Sequence, residues 1–438
     1  MALLISSLTC MTGCAVPAAR APEKIANLSE NFARTLPPAQ KPAIARWWEQ
    51  YDSAELNALV AEALAENPDI NQTRKRLEQA AATARKQLAD LLPEADLTGE
   101  RETERGDGRG PSTFTLRGAA GYELDIWGRN YAAYKAKTLD AEASVEDVRT
   151  AAITLSASVV ESWLRLAALR EEEALLRSQI ETNKMALDLQ YDRYANGAAA
   201  ALDVLQQREI LARAGAQLPD VLAEEEVVQH QIAILAGRSP SAEMELKTVR
   251  LPDPDALPLP DAGIPARLLS DRPDVAAAWL RLRGADWDAE AAWAQRLPTL
   301  QISVSSSATG TVLENLFDTW IANLAAALAL PVIDGGQRRA EETRARAAAE
   351  EELYNYKETV LAAVKEVEDE LSRNHHLQDK IAALKEQLEA SRDALEAAQV
   401  GYSNGDTNYL SVLNGMINVQ SLERQLVQQQ ELERQLVQ

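Results

Sequence analysis

With 438 residues, 46% of them hydrophobic and only 5% aromatic, the chain is long enough for several ordinary domains and leans in composition towards helix. A formal net charge of -22, from 67 acidic against 45 basic residues, argues against a surface built to hold nucleic acid or another polyanion. Three histidines and two cysteines, with no Gly-rich phosphate loop, nucleophile elbow or His-Glu-x-x-His, give an enzyme, a metal site or a cofactor site nothing to stand on.

Residues 2–12 are apolar or small and uncharged, and the run ends at Met11-Thr12-Gly13-Cys14. Residues 1–13 resemble the tail of a bacterial lipoprotein signal, in which a small residue precedes the cysteine that becomes the lipidated N-terminus. On that resemblance Cys14 carries the lipid, and Cys10 is removed with the signal. Ala15 follows Cys14, where an Asp would favour inner-membrane retention, while the lack of Lys or Arg before Cys14 and the shortness of thirteen residues are expected of a start set too late or a trimmed sequence. The alternative is an unmodified cysteine. No run of 18 or more apolar residues, the length a transmembrane helix needs, occurs anywhere.

From there the chain reads as one unit written twice. Asn67-Pro68-Asp69-Ile70 is answered by Arg272-Pro273-Asp274-Val275, and Leu92-Pro93 by Leu297-Pro298, both at an offset of 205 residues. Tyr194-Ala195-Asn196-Gly197 is answered by Tyr402-Ser403-Asn404-Gly405, and Leu202-Asp203-Val204-Leu205 by Leu410-Ser411-Val412-Leu413, both at 208. Four landmarks in order at a near-constant offset mark an internal repeat. The slip of three residues falls in the strand zone, where loop lengths vary easily.

The first copy spans 53–239 and the second 271–438, with an N-terminal segment at 14–52 and a linker at 240–270. In each copy a helix (69–92; 274–297) follows the proline and ends before Leu-Pro, because a proline drives the residue before it out of helical geometry. Strands follow at about 94–105 and 112–125, and again at about 299–308 and 319–331. Phe114, Leu116, Gly118, Ala120, Tyr122 and Leu124 alternate with Thr113, Thr115, Arg117, Ala119, Gly121 and Glu123, a period of two that makes one apolar and one polar face. Residues 129–196 and 337–400, stretches of 68 and 64 without Gly or Pro, then read as helices. Each would be roughly 100 Å long and packed in coiled-coil fashion. The helix ends are expected at Gly197, and at Gly401 and Gly405, each followed by a returning helix. Strands with one apolar face and open edges need partners, and within a membrane only a closed barrel satisfies the backbone. Four strands are too few to close one, so the repeat implies an oligomer. His375 and His376 read as exposed helix-surface residues.

Trp47-Trp48-Glu49-Gln50-Tyr51, Ala63-Leu64-Ala65-Glu66-Asn67-Pro68-Asp69, Tyr122-Glu123-Leu124-Asp125-Ile126-Trp127-Gly128-Arg129-Asn130 and Leu330-Pro331-Val332-Ile333-Asp334-Gly335-Gly336 resemble TolC-type outer-membrane efflux proteins. Ala216-Gln217-Leu218-Pro219, Leu235-Ala236-Gly237-Arg238-Ser239-Pro240 and Arg272-Pro273-Asp274-Val275 are similar to the NodT-like lipoprotein branch. The resemblance covers roughly 14–438. It implies an α+β, TolC-like fold: a homotrimer whose chains each give four strands to one 12-stranded outer-membrane β-barrel, continuous with a long α-helical periplasmic barrel. It also implies a passive exit duct served by a periplasmic adaptor (membrane fusion) protein and an inner-membrane pump of RND type, with no cofactor. The adaptor would meet the turns at Asn196-Gly197 and Asn404-Gly405, where the aperture opens. Alternatives are the outer-membrane component of a type I protein secretion system, a coiled-coil scaffold and an adaptor, although an adaptor would carry one helical hairpin, not two.

Three departures from the family pattern stand out. Where carboxylates commonly follow the second tip, this chain has Ser411 and Asn414, leaving Asp203 or Asp406 to substitute. The first strand carries Glu100, Glu102 and Glu104 on one face, expected to line the lumen, and Arg101 and Arg105 on the other, expected towards lipid or its phosphates; alternatively this run lies in the outer loop. The counterpart of Gly237 falls near 445, so the second copy is expected to end early.

Overall fold

The computed structural model describes residues 46–103, 112–241, 246, 249–252 and 271–435. Cys14, Glu104 and Arg105 lie outside the described residues, as do the signal-like segment 1–13, residues 14–45 and most of the 240–270 linker.

Among the described residues the chain forms seven α-helices and four strands in the order α1 (Ala54–Glu66), α2 (Pro68–Ala89), β1 (Glu94–Thr103), β2 (Ser112–Leu124), α3 (Arg129–Ala195), α4 (Ala201–Leu235), α5 (Pro273–Ala294), β3 (Thr299–Gly310), β4 (Trp320–Ala329), α6 (Gln337–Asn404) and α7 (Tyr409–Gln435). Local chemistry sets the helix starts. Ser53 Oγ accepts from Leu56 N at 3.2 Å to cap α1, and Asn67 Oδ1 accepts from Asp69 N at 2.8 Å to cap α2 behind Pro68. Helices α2 and α5 stop at Ala89 and Ala294, short of the expected 92 and 297, because tight turns such as Leu92 N to Ala89 O and Leu297 N to Ala294 O replace the last helical turn before each proline. Gly401, expected to end a helix, lies inside α6 instead.

The chain divides into two compact units, each drawing on both repeats. Of the described residues, the first holds 73–103, 112–149 and 271–362. It holds one antiparallel sheet in the order β1-β2-β3-β4, and the β2–β3 pairing, from Phe114 opposite Gly310 to Leu124 opposite Leu300, joins the two repeats. Trp127 Nε1 donates to Pro298 O at 2.7 Å beneath the strands.

The second unit holds the described residues of 46–72, 150–252 and 363–435. Its core gathers Tyr51, Leu56, Val60 and Ile70 around Val159, Val160, Trp163, Leu164 and Leu166 of α3, with Val228 and Ile232 of α4. Part of α3 is apolar enough to cross a bilayer by composition, but most of that part is buried inside the protein, and this core accounts for it. Tyr51 donates to Arg434 O at 2.9 Å, fastening the end of α7 to the same core. Gly237 ends α4 at φ +77, and a Cβ there would lie 2.7 Å from the carbonyl oxygen of Glu66, so only glycine fits the close approach.

Candidate functional site: the paired helix tips and the polar face of the sheet

Helices α3 and α4 form one hairpin and α6 and α7 a second. Each turns at a glycine with positive φ, +75 at Gly197 and +82 at Gly405, a conformation in which a side chain costs about 1 kcal/mol. Asn196 Nδ2 donates to Asp192 O at 2.7 Å, closing the end of α3, while Asn404 is the last residue of α6. Asp203 Oδ2 accepts from Ala200 N at 3.1 Å, so this carboxylate caps the start of α4.

The tips are tied to each other by tyrosines of the second copy. The Tyr402 hydroxyl lies 3.2 Å from Gln190 Oε1 and 3.4 Å from Asp203 Oδ2, and the Arg193 guanidinium sits 4.4 Å from the Tyr402 ring centroid. At the first residue of α7, the buried Tyr409 donates to Gln207 Oε1 at 2.7 Å, and Gln207 Nε2 donates to Asn183 O at 3.0 Å. Ile210 of the first copy packs with Val412, Leu413 and Met416 of the second around these bonds. Burial, with the Asp203 charge behind it, pushes the Tyr402 hydroxyl up, and burial pushes Tyr409 up to about 12. Both therefore remain donors at neutral pH. Further along, Arg424 Nη1 donates to Gln179 Oε1 at 2.7 Å and Asn183 Nδ2 to Gln420 Oε1 at 3.3 Å, a second polar rung.

Of the sequence-derived tip candidates, the structure brings only Asp203 into this network. Asp406 and Asn414 are exposed, and Ser411 Oγ turns to Asn408 Oδ1 at 3.2 Å, in the first turn of α7. Gln190, Gln207 and Tyr409 went unrecognised in the sequence because nothing local marks an uncharged side chain as a cross-repeat partner. The identity of Tyr194 and Tyr402 at the 208 offset was the one available signal.

In the sheet, residues opposite one another share a face. Leu97, Gly99 and Arg101 stand with Phe114, Leu116 and Gly118, and further across with Val304, Ile302, Trp320, Leu324 and Leu328. This apolar face is bare, with Trp320, Leu324 and Leu328 at 67%, 77% and 71% exposure, which in water would be a severe liability. The other face carries Glu94, Asp96, Thr98, Glu100 and Glu102 beside Thr113, Thr115 and Arg117, then Ser303, Ser305 and Ser307. Glu100 and Glu102 thus lie within β1, not in a loop. Arg101 is the charged residue on the described apolar face, its guanidinium 5.4 Å from the Phe114 ring centroid and its Nη2 3.3 Å from Ser112 Oγ. His375, His376 and Asp379 sit together on the exposed surface of α6, His375 Nε2 lying 3.7 Å from Asp379 Oδ2.

A family model described as outer membrane efflux protein matches residues 59–237 and 264–437. The pyoverdine export outer membrane protein OpmQ of Pseudomonas aeruginosa is 31% identical over 385 residues, covering 84% of this chain and 80% of that protein. Nodulation protein T of Rhizobium leguminosarum bv. trifolii is 26% identical over 381 residues, with 84% and 81% covered. Among solved structures, the outer-membrane channel OprN superposes with a TM-score of 0.87 at 25% identity, covering 97% of each chain.

Proposed function

The chain belongs to the outer membrane efflux protein family, and on that premise we propose that its paired tyrosines hold the duct's aperture shut at the helix tips. As a member it is an outer-membrane exit duct of tripartite efflux, in a family of channels rather than enzymes. Homologous channels are trimers that work with an adaptor and an inner-membrane pump.

In this reading three copies of the chain join β4 of one to β1 of the next, closing twelve strands, with the apolar face to lipid and the Glu100–Glu102 face to the lumen. The turns at Asn196-Gly197 and Asn404-Gly405 meet a periplasmic adaptor, and an RND-type pump delivers small molecules that the duct exports passively. Cys14 carries the lipid anchor; an intact mass showing that cysteine unmodified in membrane-extracted protein overturns this part.

The observation that carries the aperture reading is the reach of the Tyr402 hydroxyl to Asp203 and Gln190, which links the two hairpins of one chain by side chains alone. Replacing Asp203 by Ala removes one acceptor for Tyr402 and the carboxylate that caps the start of α4. Planar-bilayer recordings of the purified trimer are expected to show larger and longer openings than wild type. An Asp203→Ala trimer with unaltered conductance overturns the role given to this carboxylate.

A further inference from the structure

The chain has three histidines, and two of them, His375 and His376, stand side by side on α6. Two neighbouring imidazoles make a poor ligand pair by themselves, because successive side chains of a helix point about 100° apart. The winding of α6 supplies a third group between them. Asp379 follows His375 by four residues and His376 by three, one turn further on. Around the helix axis it falls about 40° from the first and about 60° from the second. His375 Nε2 lies 3.7 Å from Asp379 Oδ2, too far for a hydrogen bond, and the two rings are tilted with centroids 5.2 Å apart. One ligand atom from each of the three residues lies within 4.8 Å of the other two.

We infer that His375, His376 and Asp379 form a surface site for a borderline divalent transition-metal ion of the Zn2+ class. The donor set decides the class. Two imidazoles and a carboxylate suit Zn2+, whereas Mg2+ and Ca2+ take oxygen ligands.

The geometry is close to what such an ion needs. Ligand atoms about 2.0–2.1 Å from a tetrahedral zinc stand about 3.3 Å from one another, so the 3.7 Å pair is nearly in place. Side-chain rotation closes the rest, and all three residues are exposed and have room to turn. The backbone beneath them is held, because Leu371, Asn374 and Ile381 of the same stretch are buried. The neighbouring Arg373 is paired with Glu370, which offsets its repulsion of a cation. The net charge of -22 draws cations towards the surface as a whole. Three protein ligands leave the fourth position to water, so the ion exchanges with the surrounding solution.

The test titrates Zn2+ into full-length protein, purified in detergent without a histidine tag, by calorimetry in excess Mg2+. The Mg2+ occupies surface carboxylates and competes poorly for imidazole. One strong Zn2+ per chain is expected, and His375→Ala with His376→Ala is expected to abolish it. Asp379→Asn is expected to weaken it about tenfold or more, since even groups that only orient a ligand are worth about 10–100-fold. Co2+ in place of Zn2+ is expected to show the visible absorption of a four-coordinate site in the wild type and to lose it in both variants. Absence of strong binding overturns the inference, as does binding that survives loss of both histidines. Undiminished affinity in Asp379→Asn overturns the three-ligand site. None of these residues has a part in closing the aperture, so trimer migration and conductance are expected to match wild type in each variant, and the duct reading stands or falls separately.

Discussion

Tyr409→Phe removes a single oxygen from the hydrogen bonds that tie the two helix tips together and leaves the ring in place. In the folded chain Tyr409 is 4% exposed and Gln207 fully buried, with 2.7 Å between the hydroxyl and Gln207 Oε1. Deleting the donor leaves that acceptor buried and unpaired, at a cost of about 1–3 kcal/mol. Parting of the tips lets water reach Gln207, so the cost falls on the closed form alone. For one chain the closed-to-open ratio drops roughly 5- to 150-fold, and in a concerted trimer the three shifts compound. Single-channel recording in planar bilayers is the assay, with heat-sensitive gel migration confirming that the trimer is intact. Adding Gln207→Leu replaces both partners with apolar groups and is expected to restore most of the closure. An intact Tyr409→Phe trimer with wild-type conductance refutes the reasoning, as does a double variant that stays as open as the single one.

The acidic face of β1 predicts a cation-favouring pore: Glu100→Gln with Glu102→Gln is expected to move the reversal potential in a salt gradient towards zero, and an unmoved potential counts against their placement in the lumen. Burial lifts the Glu431 carboxyl above its ordinary value despite Arg165 at 3.0 Å, so its stability contribution is complete below the unfolded value of 4.5 and is lost as pH rises through the higher folded one. Glu431→Gln is therefore expected to flatten the fall in Tm above pH 4.5, and an unchanged slope sinks this assignment. Gly237→Ala forces a Cβ to within 2.7 Å of Glu66 O at φ +77. It is expected to cost about 2–4 kcal/mol, read as a lowered Tm in detergent; an unaltered Tm shows that α1 and α4 adjust freely.

The features readable in the sequence were those with a period. Alternation along 112–125 marked β2, and the absence of Gly and Pro over 129–196 marked α3, because strand pleat and helix continuity leave their signature in consecutive residues. Gly401 misled for the opposite reason. Glycine permits a helix end without requiring one, and the turn is fixed by Gly405, where φ is positive. The bonds between the helix tips were the least legible part. Asp203 stands out as a carboxylate, but the acceptor of the best-buried bond is Gln207, an uncharged side chain whose partner lies 202 residues away. Only folding brings these two together, and a neutral amide on a long helix carries no mark of it.

The pairing of β2 with β3 also governs how the protein must come into being. Phe114 has to find Gly310, and between them the chain contains both arms of an entire helical hairpin. A strand emerging from the translocation machinery therefore waits, one greasy side bare and one edge unzipped, until most of the polypeptide has followed it. Such non-local closure is slow, and its intermediates are prone to clump. Even the finished four-stranded sheet keeps β1 and β4 as edges, so assembly becomes a race between meeting sister chains and sticking to strangers. A holding factor that shields the newly exported sheet would tip that race, and yield should climb more steeply with its supply than with the rate of synthesis.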